Sequence, residues 1–146
     1  MIGLLQRVRS AAVDVDGERI AAIGPGLLVL VGVRPDDAET DVRRLVERLL
    51  GYRVFTDADG RMNRSLREHG GGLLLVPQFT LAADTRRGTR ASFTTAAPPD
   101  AARRLFADVV NRARDEHRDV ACGRFGADMQ VSLINDGPVT FWLETR

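Results

Sequence analysis

The sequence contains no lysine: all 21 of its basic residues are arginine. Schiff-base chemistry and the lysine-bearing phosphate loop are therefore excluded. Cysteine is reduced to one residue, Cys122, so no internal disulfide can form and a reducing compartment is expected. Cys122 carries no nucleophile signature and reads as a buried structural thiol. Histidine occurs twice. His69 follows a charged stretch beside a run of glycines, and His117 ends a charged helix; both read as surface residues, unpaired with any serine or cysteine in a recognised pattern. No Cys/His spacing suggests zinc. The Asp57–Gly60 loop lacks the acidic residue that a calcium loop places at its twelfth position. No metal and no cofactor are expected. No apolar run approaches the ~20 residues that cross a bilayer, and the first residues lack a signal-peptide layout, so a cytoplasmic protein without membrane contact is expected. The net charge of +1 does not announce a nucleic-acid binder, although a local basic patch is compatible with it.

What is present is a chain of 146 residues, 44% hydrophobic and 28% charged, enough for one domain spanning 1–146. Residues 3–9 and 11–15 read as strand, Asp16-Gly17 as a turn and 19–23 as the returning strand. The unbroken apolar run 27–31 suggests a strand covered on both faces. Pro35 and Asp36 open a helix, Asp36 and Glu39 resembling a capping box; its inner face is Val42, Leu45, Val46, Leu49 and Leu50. Residues 52–55 read as strand. The three glycines 70–72 are a flexible connection rather than a phosphate cradle, because an apolar strand over 73–81 follows them. A polar, arginine-rich loop covers 82–97. Pro98 and Pro99 open a second helix with Ala102, Leu105, Phe106, Val109, Val110 and Ala113 inward. Strands near 129–134 and 139–144 are joined by Asn135-Asp136-Gly137-Pro138. This order predicts an α+β fold, with a mixed, largely antiparallel sheet curled into a barrel-like core and two main helices.

Two local features stand out. Pro77 lies in the apolar strand, where it removes a ladder donor, so the strand must end, bulge or lie at an edge there. Backbone groups near Gln78, Phe79 and Thr80 would then be free for a ligand; ordinary strand packing is the other explanation. Gly137-Pro138 separates two strands, and an X-Pro bond is cis at a cost of only about 0.5–1 kcal/mol. A simple hairpin turn would also explain the dipeptide.

Six segments occur in one order: 4–8 (LLQRV), 23–30 (IGPGLLVL), 78–81 (QFTL), 83–86 (ADTR), 125–131 (FGADMQV) and 135–140 (NDGPVT). Together they resemble the bacterial D-aminoacyl-tRNA deacylase family, from Met1 to about Leu143. The resemblance implies a homodimer that hydrolyses the ester of D-aminoacyl-tRNA, with sites at the subunit interface. Gly137-Pro138, in cis, would reach into the partner's site and exclude L side chains by a clash. Glycine has no side chain to reject, so glycyl-tRNA charged on the alanine tRNA is an expected substrate too. Arg7 would hold the Gly-Pro pair. Gln78, Phe79 and Thr80, preceded by Pro77, would bind the 3′-terminal adenosine and the ester, and Met129 would line the pocket. Arg86, Arg87 and Arg90 would meet tRNA phosphates.

Gln78 and Thr80 carry the catalytic expectation. Thr80 is a poor nucleophile because no base is evidently placed beside it; its role is binding and oxyanion support. The resemblance assigns assistance of the attacking water to the 2′-OH of the tRNA. One departure stands out: the family usually has serine where this chain has Pro77, which removes a hydroxyl and an N–H. A tRNA-binding member with impaired catalysis is therefore the alternative reading.

Overall fold

The computed structural model describes residues 1–146. The chain opens on a long strand β1 (Ile2–Val15), returns through β2 (Glu18–Ile23), and continues into β3 (Gly26–Gly32). Helix α1 (Glu39–Gly51) precedes a small hairpin of β4 (Phe55–Thr56) and β5 (Met62–Arg64) and a one-turn helix α2 (Leu66–His69). Strand β6 (Gly72–Pro77), a 3₁₀ turn over Phe79–Ala82, helix α3 (Pro99–Glu116), β7 (Val120–Cys122) and β8 (Gln130–Glu144) complete it.

Six strands form one mixed sheet in the order β2-β1-β3-β6-β7, with β8 also paired to β1. Strands β3, β6 and β7 run parallel, and the β1 pairings are antiparallel. Apolar residues alternate between the two faces of this sheet, which explains the unbroken run in β3. Leu27, Val29 and Val31 face α1 and α3, joining Leu73, Leu75 and the inner helix residues. Leu28 and Leu74 face the other way, against Val8, Val13 and Ile23. The sheet is curled because the two halves of β1 pair in turn with β3 and with β2, while β8 follows its whole length. This agrees with the barrel-like α+β expectation.

Several local expectations are corrected. Residues 2–15 form one strand rather than two. The first helix starts at Glu39, with Ala38 as its cap; the Asp41 carboxylate accepts from the Ala38 N–H at 3.0 Å, so the Asp36–Glu39 capping box does not form. Only Phe55 of the 52–55 segment is strand. The strand after the glycines stops at Pro77 instead of Leu81, and the next residues turn as a 3₁₀ helix. Cys122 is half-buried on β7, a strand too short to show a period. His117 bonds the Gly71 carbonyl at 2.6 Å, and exposed His69 stacks on Phe55 at 4.0 Å.

The most consequential correction concerns the C-terminal segment. Residues 130–134 pair with 14–10, and 140–144 pair with 6–2, along a single continuous strand. Gly137-Pro138 is therefore no hairpin turn. Between Gln6 and Val8 the register jumps from Thr140 to Asn135, so the extra residues of β8 are pushed out of the ladder as a large bulge. The Gly137–Pro138 bond at its tip is cis.

No helix is long and apolar enough to cross a membrane.

Candidate active site and nucleic-acid interface

The end of β6 opens a cavity of about 450 Å³. Its walls include Val76, Pro77, Gln78 and Phe79 from the strand end, Ala97, Pro99 and Ala102 around the start of α3, and Phe125, Ala127 and Met129 from the segment before β8. The volume falls in the range of small-ligand sites, and the lining is mostly apolar with few polar groups. Pro77 explains the location. Alternate β6 N–H groups face β7, as Leu73 N–H does toward the Asp119 carbonyl at 2.8 Å. β7 ends at Cys122, opposite Leu75, before that row reaches Pro77. The proline nitrogen thus sits where no β7 residue is paired to it.

Gly123 does not line the cavity but lies directly behind two residues that do, Met129 and Pro77. A Cβ at this position would lie 2.8 Å from Met129 Sδ and 3.4 Å from Pro77 Cδ. Its bare Cα is what lets the Met129 sulfur come this close to the backbone. Gly123 was not legible as a site residue, and neither were Phe125, Ala97 and Pro99, because they enter from distant segments.

Gln78 is half-buried and its amide Nε2 donates to Thr80 Oγ1. The Thr80 hydroxyl is thereby left with its own O–H to donate. Thr80 does not line the cavity but stands exposed beside it. Phe79 is 56% exposed and packs on exposed Phe93, ring centres 5.1 Å apart, forming an aromatic rim. Neither histidine lines the cavity, so no imidazole serves Thr80 there.

The loop after the 3₁₀ turn folds back on itself. Asp84 and Ser92 exchange backbone hydrogen bonds of 2.8 and 3.0 Å, and Thr95 Oγ1 donates to the Ala82 carbonyl at 2.6 Å. Arg86, Arg87 and Arg90 are exposed between these ties. Arg86 is engaged by Asp84 at 2.9 and 2.7 Å, and this bond is the main cause holding the Asp84 carboxyl far below its ordinary range.

The Gly137-Pro138 bulge lies elsewhere and does not line the cavity. Arg7, 14% exposed at its side chain, donates from Nε to the Asp136 carbonyl at 2.8 Å and from Nη1 to the Val54 carbonyl at 2.7 Å. Asn135 spans the bulge, accepting from Val139 N–H at 2.7 Å and donating to Thr140 Oγ1 at 3.0 Å. Gly137 has φ +143°, and a Cβ there would meet Val139 Cγ2 at 2.8 Å and Arg7 Nη2 at 3.2 Å. Glycine is required at this tip by backbone and by space. The structure therefore brings Pro77, Gln78, Phe79 and Met129 together, sets Thr80 and the arginine loop beside them, and keeps Arg7, Gly137 and Pro138 apart within one chain.

The same fold occurs in solved structures. A protein described as c-Myc DNA Unwinding Element Binding Protein superposes with a TM-score of 0.94 at 37% identity, covering 99% of this chain and 98% of that one. A probable eukaryotic D-amino acid tRNA deacylase superposes with a TM-score of 0.82 at 21% identity, a likeness of fold. A family model described as D-Tyr-tRNA(Tyr) deacylase matches residues 4–144. The D-aminoacyl-tRNA deacylase of Alkalilimnicola ehrlichii is 64% identical over 146 residues, all of this chain and 97% of that protein. That of Thioalkalivibrio sulfidiphilus is 65% identical over 144 residues, covering 99% of this chain and 97% of that protein. The chain belongs to the D-aminoacyl-tRNA deacylase family, whose members are hydrolases of the aminoacyl-tRNA ester bond.

Proposed function

We propose that this chain cleaves D-aminoacyl-tRNA to free D-amino acid and tRNA, and acts on glycyl-tRNA charged on the alanine tRNA. The observation that carries this reading is the convergence of Gln78, Phe79 and Met129 on one apolar cavity with no nucleophile–base pair. An aminoacyl ester is already activated, so positioning and charge stabilisation suffice for hydrolysis. Water attacks the ester carbonyl, the bond to the ribose 3′-oxygen breaks, and that oxygen takes up a proton. The 2′-OH of the terminal ribose orients the water and relays the proton. The Thr80 O–H, positioned by Gln78, supports the developing oxyanion together with backbone N–H groups. Phe79 and Met129 hold the adenosine, and Arg87, Arg90 and the Asp84-bound Arg86 face the tRNA backbone.

Chiral selection comes from a homodimer. Gly137 and Pro138 of one subunit, fixed by Arg7, enter the other subunit's site and leave no room for an L side chain. The exposed apolar residues of β8 support this assembly: Ile134 is 58% exposed and Trp142 49%.

Pro77 carries a second reading. It lines the cavity where its ring offers neither hydroxyl nor N–H, so a tRNA-binding member with impaired catalysis is also consistent. The test is release of amino acid from D-tyrosyl-tRNA and L-tyrosyl-tRNA, for the native chain beside Pro77→Ser. Cleavage of the D ester alone by the native chain establishes the first reading. Cleavage only after Pro77→Ser establishes the second. If neither protein cleaves either ester, the deacylase reading fails.

A further inference from the structure

No charged side chain lines the cavity, and the charged groups near it differ in how they are matched. In the loop after the 3₁₀ turn, Arg86 is matched by Asp84. The first turns of α3 bring Pro99 and Ala102 to the cavity, and Arg103 follows directly. The Arg103 guanidinium carbon stands 4.8 Å from the centre of the Phe125 ring, and Phe125 is itself a wall of the cavity. Arg103 Nη2 would be 3.6 Å from a Cβ on the neighbouring wall residue Gly126. Of the other α3 arginines, Arg104 pairs with Asp108 at 3.8 Å and Arg112 with Glu116 at 3.1 Å, while Arg114, which does not line the cavity, reaches the Cys122 sulfur at 3.8 Å. Arg103 has none within 4.0 Å.

A guanidinium seated on an aromatic ring is held in place by its face, while its N–H edges stay free to donate. Arg103 is thus a positioned cation with unmatched charge, held against Phe125 and Gly126, two walls of a nucleoside-sized cavity. Its fork geometry fits two oxygens of a phosphate better than a single carbonyl.

We propose that Arg103, seated on Phe125, binds the phosphodiester that links the terminal adenosine to the nucleotide before it. This rests on the reading that the adenosine of an aminoacyl-tRNA occupies the cavity. The contact is chemically distinct from that of the 82–97 loop, because it grips the single-stranded arm beside the cavity.

The experiment compares two substrates, D-tyrosyl-tRNA and 3′-O-D-tyrosyl-adenosine, which lacks every phosphate. Native protein, Arg103→Ala, Arg103→Lys and Arg118→Ala are assayed over a range of salt, with binding of uncharged tRNA measured alongside. Arg118 is the control, two residues beyond Glu116, the far end of α3, which lies roughly 20 Å along the helix from Arg103 at 1.5 Å per residue. For Arg103→Ala, kcat/KM on the tRNA substrate falls about tenfold, through KM. The slope of log affinity against log salt falls by about 0.7, the value for one phosphate on a single strand. Cleavage of the adenosine ester and the behaviour of Arg118→Ala are unchanged, and Arg103→Lys recovers part of the loss. Equal loss on both substrates would overturn the proposal, since Arg103 would then act by shaping the cavity through Phe125. No loss on tRNA, or an unchanged salt slope, would overturn it too. Should the native protein cleave neither substrate, the tRNA-binding measurement still decides: weaker binding by Arg103→Ala upholds the phosphate contact while the hydrolase reading fails, and unchanged binding overturns both.

Discussion

Two polar clusters at different places in the molecule are built on opposite terms. Beside the ends of β1 and β8, the Met1 amino group, with 0% side-chain exposure, donates to Asp37 at 2.6 Å and to Thr145 Oγ1 at 2.7 Å. Thr145 donates on to Asp41 at 2.7 Å, and Arg146 reaches Asp37 and Asp41 at 3.0 and 3.2 Å. Every charge there is matched, and all but Arg146 are buried. At the cavity, Gln78 and Thr80 bond each other, but Thr80 is exposed and keeps a free donor, and Arg103 is unmatched. A saturated cluster fixes the chain ends; an unsaturated one is available to a ligand. Substitutions in the first should change stability, and those in the second should change turnover.

The largest effect is expected from Asp37→Asn. Removing this charge leaves a buried amino group poorly matched, a loss of roughly 3–5 kcal/mol. Denaturant unfolding reads it, and the protein that remains folded should cleave at the native rate. A cleavage defect at full occupancy of the fold would erase the division between clusters. Thr80→Val is the mirror case. Loss of the oxyanion donor should lower kcat roughly 100-fold with the unfolding midpoint nearly unchanged. Equal activity would remove Thr80 from the mechanism.

Gly123→Ala tests the boundary between the two kinds of effect. The new methyl group displaces Met129 Sδ and tightens the contact to Pro77. KM for aminoacyl-tRNA should rise about tenfold, with a stability loss of roughly 1–3 kcal/mol from overpacking. A change in stability without a change in KM would place Met129 outside the substrate site.

The smallest effect is on pH dependence. Burial raises the Asp41 carboxyl, but the Thr145 hydroxyl, the Ala38 N–H and the charges of Met1 and Arg146 outweigh it, so the group lies below its ordinary value. A depressed carboxyl contributes stability that is complete above its unfolded pKa, about 3.9. That contribution is lost as pH falls through the folded value. Unfolding free energy should therefore decline below about pH 5, and Asp41→Asn should flatten part of the decline. An unaltered slope in Asp41→Asn would show that the chain-end cluster does not govern acid sensitivity.

Legibility in the sequence followed the range of the interactions. The inner faces of α1 and α3 could be read because a helical face repeats within a few residues. The strand end at Pro77 was half legible: proline announced an interruption, but not that Gln78 would still bond the Val31 carbonyl of β3 at 2.8 Å before the chain turns as a 3₁₀ helix. For Gly137-Pro138 the dipeptide alone left a hairpin turn open beside the cis pair, because dipeptide chemistry is local, whereas both flanks pair with one strand 129 residues away, as the Arg7–Asp136 bond records. Cavity walls such as Phe125 and Ala97 carry no local signal. They become site residues only when β7 and α3 are folded against β6.

Strand β8 has one further consequence. It pairs only with β1, so on either side of the Gly137-Pro138 bulge its other margin carries unpaired backbone groups, beside exposed Leu133, Ile134 and Trp142. A bare margin of this kind invites fibrillar stacking unless something occupies it. In the proposed homodimer, association would be coupled to folding by mass action. Dilution alone should then lower the melting temperature, and crowding of the partner surface with a charge at Ile134 should remove that dependence on concentration.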